Sequence, residues 1–519
     1  MHATRSRSSL TRAAACIGLL ATAAAVHAQP LELYVDDDAP NGGDGLSWGT
    51  AMNSLDDALE IVRAHFEAGP TGNRVVRVAQ GVYVPGGGNS SRDATFSVLS
   101  STILEGGYAG IGAANPDEQD PGRFVTVLSG DCNRDDLPGF LNRSDNVYHV
   151  VTFENDGATG QITGFSVRGG QADGGGSRNR GGGVTAVDGI GHAFIVSCRI
   201  EDNVAVFGGG VGALTGLVVL YECDLIGNAA LHSGGAAWFG FEGEVLSSRV
   251  KSNSVGLDSS GGGVVLQGSS LKVSLSEFTA NQTAGSGGAI AIWNGAAEIS
   301  NCTFNANIAV VGAGIWSASS DNSLVVNSVL AYGNASEQPL LHRSGLGAFD
   351  VGYSIVEGGV PQSMLLSAGS FAFSTIVNAA PRFVDPLGLD GIAGTNDDDL
   401  RLEQSSCAID AGLAIDPWYY EHSLPWAVDL AGAPRFHDDP AMPNIGEGWR
   451  TDVDIGAYEF QGTSCRADQD GSGGVSVPDI FSYLSDWFAQ RPEADFDRDR
   501  NVEVDDLFQW LAAWFAGCD

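Results

Sequence analysis

Apolar and polar residues alternate in short runs between about Gly181 and Asn334, and the runs repeat. Ser197-Cys198-Arg199-Ile200-Glu201-Asp202-Asn203 leads to Gly208-Gly209-Gly210. The phrase returns as Cys223-Asp224-Leu225 to Asn228 with Gly234-Gly235, and as Ser248 to Asn253 with Gly261-Gly262-Gly263. Two further copies run from Ser276 to Asn281 with Gly287-Gly288, and from Cys302 to Asn307 with Gly312 and Gly314; a looser one ends at Tyr332-Gly333-Asn334. The Asn steps by 25, 25, 28, 26 and 27 residues. A period in that range means stacked units, each burying its apolar face only against its neighbours.

Alternation with a period of two predicts strands. Ile200, Leu225, Val250, Phe278 and Phe304 form one inward column, and Cys198, Cys223, Ser248, Ser276 and Cys302 another. The repeated Asn predicts a bend, because it tolerates left-handed backbone angles and its amide can bond the same amide one coil away. The glycine clusters predict a second corner. Strands and corners at this period make a parallel β-helix; the consensus of a leucine-rich solenoid and the hairpins of a propeller blade are absent. The column Arg199, Asp224, Arg249, Glu277 and Thr303 points outward; its charges are candidates for a catalytic array, but their alternating signs read first as an exposed stabilising ladder.

Leu31 to Val35 reads as a strand, and Leu55, Leu59, Val62 and Phe66 as an amphipathic helix that closes one end of the solenoid. Further short strands suggest coils that begin irregularly over 111–180. After Asn334 the repeat degrades. The stretch 381–460, rich in Pro, Asp and Gly, reads as a C-terminal cap to a β-helix domain spanning 29–460, followed by a linker over 461–464.

Arg5, Arg7 and Arg12 precede an apolar run from Ala13 to Val26 and the small-residue site Val26-His27-Ala28. That is the layout of a secretory signal over 1–28, so the mature chain is expected outside the cell or at its surface. No later stretch is apolar over the roughly 20 residues of a membrane span. The chain of 519 residues carries 26 basic and 63 acidic residues, net −37, with Lys251 and Lys272 its two lysines. Such a surface repels nucleic acid and favours cations.

Residues 465–519 contain a two-fold repeat. Each copy is a twelve-residue loop followed by an apolar helical stretch, with oxygen donors at loop positions 1, 3, 5, 9 and 12. In the first copy these are Asp468, Asp470, Ser472, Ser476 and Asp479; in the second they are Asp495, Asp497, Asp499, Glu503 and Asp506. Position 7 supplies a backbone carbonyl, from Gly474 and Asn501. Calcium takes six to eight hard oxygens in this EF-hand arrangement, so two Ca²⁺ sites are expected.

Tyr34-Val35-Asp36, Trp48, Leu55-Asp56-Asp57-Ala58-Leu59, the Gly/Asn repeats, Ala408-Ile409-Asp410-Ala411-Gly412 and Asp454 to Phe460 resemble secreted bacterial right-handed β-helix proteins of the pectin lyase superfamily. The duplicated loop and helix ending in Gly517-Cys518 resembles a dockerin module. That resemblance implies two Ca²⁺ ions and a cohesin-like partner. Arg500 stands where the loop usually has Gly, and Val477-Pro478 and Val504-Asp505 replace the Ser-Thr pairs that read cohesin. The ends of a two-fold module lie close, so Cys465 and Cys518 suit a disulfide in an exported protein; Cys132 and Cys407 cannot be paired from sequence.

The superfamily implies a polysaccharide lyase or glycoside hydrolase, yet no Asn-Thr-Asp, His-Gly-x-Ser or Arg-Ile-Lys grouping occurs, and His192 and His232 stand alone. Asp36-Asp37-Asp38 and Asp397-Asp398-Asp399 are candidates for binding Ca²⁺, but read first as solvated loop acid. Trp238, Trp293 and Trp316, near the glycine corners, are candidates for stacking on sugar or for core packing. The sequence points to a structural, adhesive or carbohydrate-binding β-helix held through its tail. The alternative is an enzyme with unidentified catalytic residues.

Overall fold

The computed structural model describes residues 30–519 apart from 70–71, 89–90, 155–158, 187–190, 257–258, 336–339, 361–375, 415–427, 441, 449, 463–464, 470–473, 492–493, 498–500 and 518–519. The stretch 1–28, expected to be a secretory signal, lies outside the described residues. Four long sheets, all parallel, run along a β-helix. One coil gives each of them a strand, as in His192–Val196, Arg199–Glu201, Val204–Phe207 and Val211–Ala213. Stacking is one repeat per coil, with Arg199 level with Asp224 and Asp224 with Arg249.

The inward columns are the core. Ile200, Leu225, Val250 and Phe278 are fully buried and Phe304 nearly so. The rings of Phe278 and Phe304 stack at 5.0 Å and 14°. Burial of each such side chain is worth about 1.5–3 kcal/mol.

Division of labour at the Asn bend differs from the expectation. The left-handed residue is the one before the Asn (Asp202, Gly227, Ser252, Ala280, Ala306), not the Asn itself. The amide instead turns inward and builds the ladder. Asn203 Nδ2 donates to Asn228 Oδ1 at 3.0 Å, and the bond recurs at Asn228–Asn253 (3.1 Å), Asn253–Asn281 (2.9 Å) and Asn281–Asn307 (3.0 Å). Each Oδ1 also accepts the backbone N–H of the Asn one coil back. At the other corner Gly208 has φ +63°, and a Cβ on Gly209 would sit 2.3 Å from the Ala229 carbonyl oxygen. Only glycine fits that close approach.

Helix α1 (Leu55–Glu67), N-capped by Ser54, buries Leu55, Ala58, Leu59 and Val62 against the first coils. The coils start earlier than 111: Leu31–Val35, Arg74–Ala79 and Thr102–Tyr108 are already neighbours in one sheet.

The described residues of 381–460 fold back along the outer face of the sheet that holds Arg199–Glu201 and its successors. Phe383, Leu400, Ile409, Ile455 and Tyr458 pack on Val329, Ala331 and Ile355. Polar ties accompany the packing: Asn327 Nδ2 donates to the Leu413 carbonyl at 2.7 Å, and Ala457 N–H donates to Thr303 Oγ1 at 3.0 Å. The expected exposed ladder is therefore corrected. Glu277 and Thr303 are 1% exposed beneath this cover, and only the earlier rungs reach solvent.

Candidate functional site

In the tail, the capping-box pattern starts α2 (Val477–Phe488) at Ser476 and α3 (Val504–Ala516) at Glu503, each the ninth residue of its loop. Tyr483 and Trp510, one repeat apart, stack at 4.4 Å and 9° in the buried centre. Trp487 Nε1 donates to the Glu503 carbonyl at 2.8 Å, and Trp514 Nε1 to the Ser476 carbonyl at 2.9 Å. Each helix thus holds the other copy's loop.

Three residues of the second predicted loop come together: Asp495, Asp497 and Asp506 each bring an oxygen within 4.8 Å of the others. Buried Asp506 closes the loop, accepting the N–H groups of Phe496 (2.7 Å), Asp497 (3.2 Å) and Glu503 (2.7 Å). Converging carboxylates repel unless a cation joins them, and hard oxygens are the donors calcium takes. Asn501 and Glu503 lie exposed on the same loop, and Asp499 falls outside the described residues. In the first loop Asp468 and Asp479 are fully buried, and Asp479 accepts the Ser476 N–H at 2.7 Å. Gly474 is exposed and Ser476 half-buried, while Asp470 and Ser472 lie outside the described residues, as does Cys518. Cys465 is buried, and Cys198, Cys223 and Cys302 are free, buried thiols of the solenoid core.

A second site takes in Arg199, Asp224 and Arg249 of the outward charge column. Where the open part of the outer sheet meets the folded-back segment, a cleft of about 620 Å³ is lined by Arg199, Asp224, Arg249 and Lys251 on one side. Asp397, Asp398, Asp399, Arg401 and Tyr458 line the other. Beneath it Lys251 is held in a buried ion pair, Nζ to Glu277 Oε1 at 2.9 Å, with side chains 9% and 1% exposed. Thr279 Oγ1 donates to the same carboxylate at 2.8 Å, and the Tyr458 hydroxyl donates to its other oxygen. Burial, and then the charge of Glu277, push the Tyr458 phenol well above its ordinary range. Burial also raises the Asp398 carboxyl, against the pull of Lys251.

Every cation here faces an acid. Arg401 forks onto Asp399, Arg249 Nη1 lies 3.8 Å from Asp224, and Arg199 Nε lies 2.6 Å from Glu201. Arg249 also donates to the Leu430 carbonyl at 2.8 Å. The signal that pointed here was faint: Lys251 is one of two lysines, on the outward column beside Arg249.

Other sequence candidates resolve otherwise. Trp238 and Trp316 are 4% and 7% exposed in a side cluster with Val265 and Ala291, so only Trp293, 42% exposed and edge-on to Trp316 at 4.9 Å, offers a ring to solvent. His232 stacks on Phe207 at 5.7 Å. The two aspartate triads brace loops. Asp36 accepts the N–H groups of Asp38 and Ile111, and Asp397 those of Leu389 and Asp390.

No family model matches the chain, and no curated protein matches it. Solved structures similar to it include that of pectate lyase Pel9A, with 14% identity over 84% of this chain and 98% of that one, at a TM-score of 0.40. A rhamnogalacturonan lyase is similar at 13% identity over 71% of this chain and 96% of that one, at a TM-score of 0.35.

Proposed function

We propose that this chain is an exported, extracellular or cell-surface β-helix protein that binds a polysaccharide in the cleft between its outer sheet and its folded-back segment. Its tail, on this reading, is a dockerin-like module that binds two Ca²⁺ ions. One observation carries the glycan reading. On a chain of net charge −37, four cations (Arg199, Arg249, Lys251, Arg401) meet in one cleft, each facing a carboxylate. Paired donors and acceptors suit a ligand made of hydroxyl groups, which gives and receives hydrogen bonds at each position.

Calcium holds the two loops through Asp468, Asp470, Ser472, the Gly474 carbonyl, Ser476 and Asp479, and through Asp495, Asp497, Asp499, the Asn501 carbonyl, Glu503 and Asp506. The convergence of Asp495, Asp497 and Asp506 supports it. A disulfide between Cys465 and Cys518 closes the module. A cohesin-like partner reads the helix faces, where Phe481, Phe488, Phe508 and Phe515 are 64–78% exposed.

A lyase or hydrolase is the second reading, favoured by Lys251 and Tyr458, two proton-carrying groups that meet on Glu277 beneath the cleft. The test is a polysaccharide panel, acidic and neutral, offered to the calcium-loaded chain, following retention, new reducing ends and absorbance from unsaturated uronates. Retention without product is expected. Product with any substrate puts the enzyme first; neither retention nor product removes both glycan readings.

A further inference from the structure

The loop side of the tail faces the solenoid. Gln404 of the folded-back segment donates from Nε2 to Asp468 Oδ2 at 2.8 Å, and Asp468 opens the first predicted calcium loop. Beside it, Arg382 donates to the backbone carbonyl of Gln469 at 3.1 Å and to Ser405 Oγ at 2.9 Å. Its other nitrogen lies 3.9 Å from Asp486 of α2, the carboxylate that also receives Gln469 Nε2 at 3.1 Å. Arg382 and Asp486 are 18% and 11% exposed, so this polar contact is largely withdrawn from water. The second loop faces the same way. Asp495, Asn501 and Glu503 line, with Ile376, Met442 and Ile455 of the solenoid end, a cavity of about 760 Å³. The exposed phenylalanines of α2 and α3 are left for other contacts.

We propose that the solenoid end is part of the first calcium site. Gln404 and Arg382 are positioning residues that orient Asp468 and the backbone after it, so calcium binding and seating of the tail on the solenoid are coupled. The inference rests on the calcium reading above. The physical basis is general: a ligating carboxylate is itself held by hydrogen bonds, and removal of such a support weakens metal binding about 10–100-fold. The coupling is reciprocal, so what the solenoid adds to calcium affinity, calcium adds to docking.

The test uses the full mature chain. Calorimetric titration with CaCl₂ of the wild type, Gln404→Leu (which removes the amide and keeps the bulk) and Arg382→Ala should show one of two sites weakened by about 10-fold or more in each variant, with the other unchanged. In the wild type, chelation should raise hydrogen exchange in 399–410, where the Glu403 N–H bonds the Arg382 carbonyl and the Ser406 N–H that of Glu403. Exchange is read on the wild type alone, so a variant that fails to fold does not remove the test. Wild-type binding with unaltered affinity in Gln404→Leu, or unchanged exchange on chelation, overturns the coupling and leaves the calcium reading standing. No calcium binding by the wild type overturns both.

Discussion

Lys251→Met is the sharpest test of how the folded-back segment is held. Glu277 is 1% exposed and Lys251 is its cationic partner at 2.9 Å. Removal of one member of a buried pair leaves an uncompensated charge, which costs roughly 3–5 kcal/mol. Here the Thr279 and Tyr458 hydroxyls still donate to the carboxylate, so the lower end, about 3 kcal/mol, is expected. Adding Glu277→Gln removes the stranded charge while keeping an acceptor for one of the two hydroxyls, and should recover most of the loss, leaving about 1 kcal/mol. Because Tyr458 belongs to the folded-back segment, the single variant should also open 381–460 to proteolysis before the coils unfold. Urea unfolding followed by tryptophan fluorescence, with limited proteolysis in parallel, measures both. The reasoning fails if Lys251→Met loses less than about 1 kcal/mol, or if the double variant is no more stable than the single one.

Asn253→Ala removes an amide bonded to Asn281 and to the Leu225 carbonyl and an acceptor serving Asn228, all fully buried, so a loss of about 4 kcal/mol is expected in the same unfolding assay. Burial and then the Asp454 charge raise the Asp410 carboxyl to about 7. A carboxyl raised above its unfolded value near 3.9 stabilises the fold fully below that value, and the contribution is lost as pH rises through about 7. Asp410→Asn, a mimic of the protonated form, should therefore raise the melting temperature at alkaline pH and change it little under acid; equal shifts at both would contradict the assignment. Asp495→Asn should reduce the calorimetric calcium stoichiometry from two to one. Chelation together with reduction should abolish the far-UV helical signal of α2 and α3, and an unchanged spectrum would contradict the calcium-dependent tail.

What the sequence showed and hid follows from distance along the chain. The Asn, Cys and Ile/Phe columns are legible because each rung repeats its neighbour at a fixed step. In the tail the recurring spacing of acidic residues is legible, and Asp495, Asp497 and Asp506 of the second copy do converge. Glu277 and Thr303 read as surface because alternation within a strand reports which face a residue takes, not what covers that face. The cover comes from far away: Tyr458 lies 181 residues from Glu277, and Leu413 lies 86 from Asn327. One trace of it was present, since the outward column turns apolar at Val329 and Ile355, both fully buried. The cleft inherits that blindness, because its two walls come from segments with no shared pattern. Trp238 and Trp316 are covered for a related reason: they lie outside the central core, in a side cluster assembled from four coils.

The central claim is that the cleft beside the folded-back segment is where this solenoid meets a polysaccharide. Affinity electrophoresis of wild type and Arg249→Ala/Arg401→Ala, in gels carrying the polysaccharide that retains the wild type, tests it most directly. At least about a 10-fold loss of affinity is expected, with the β-sheet circular dichroism unchanged. Equal retardation of the two proteins would contradict it.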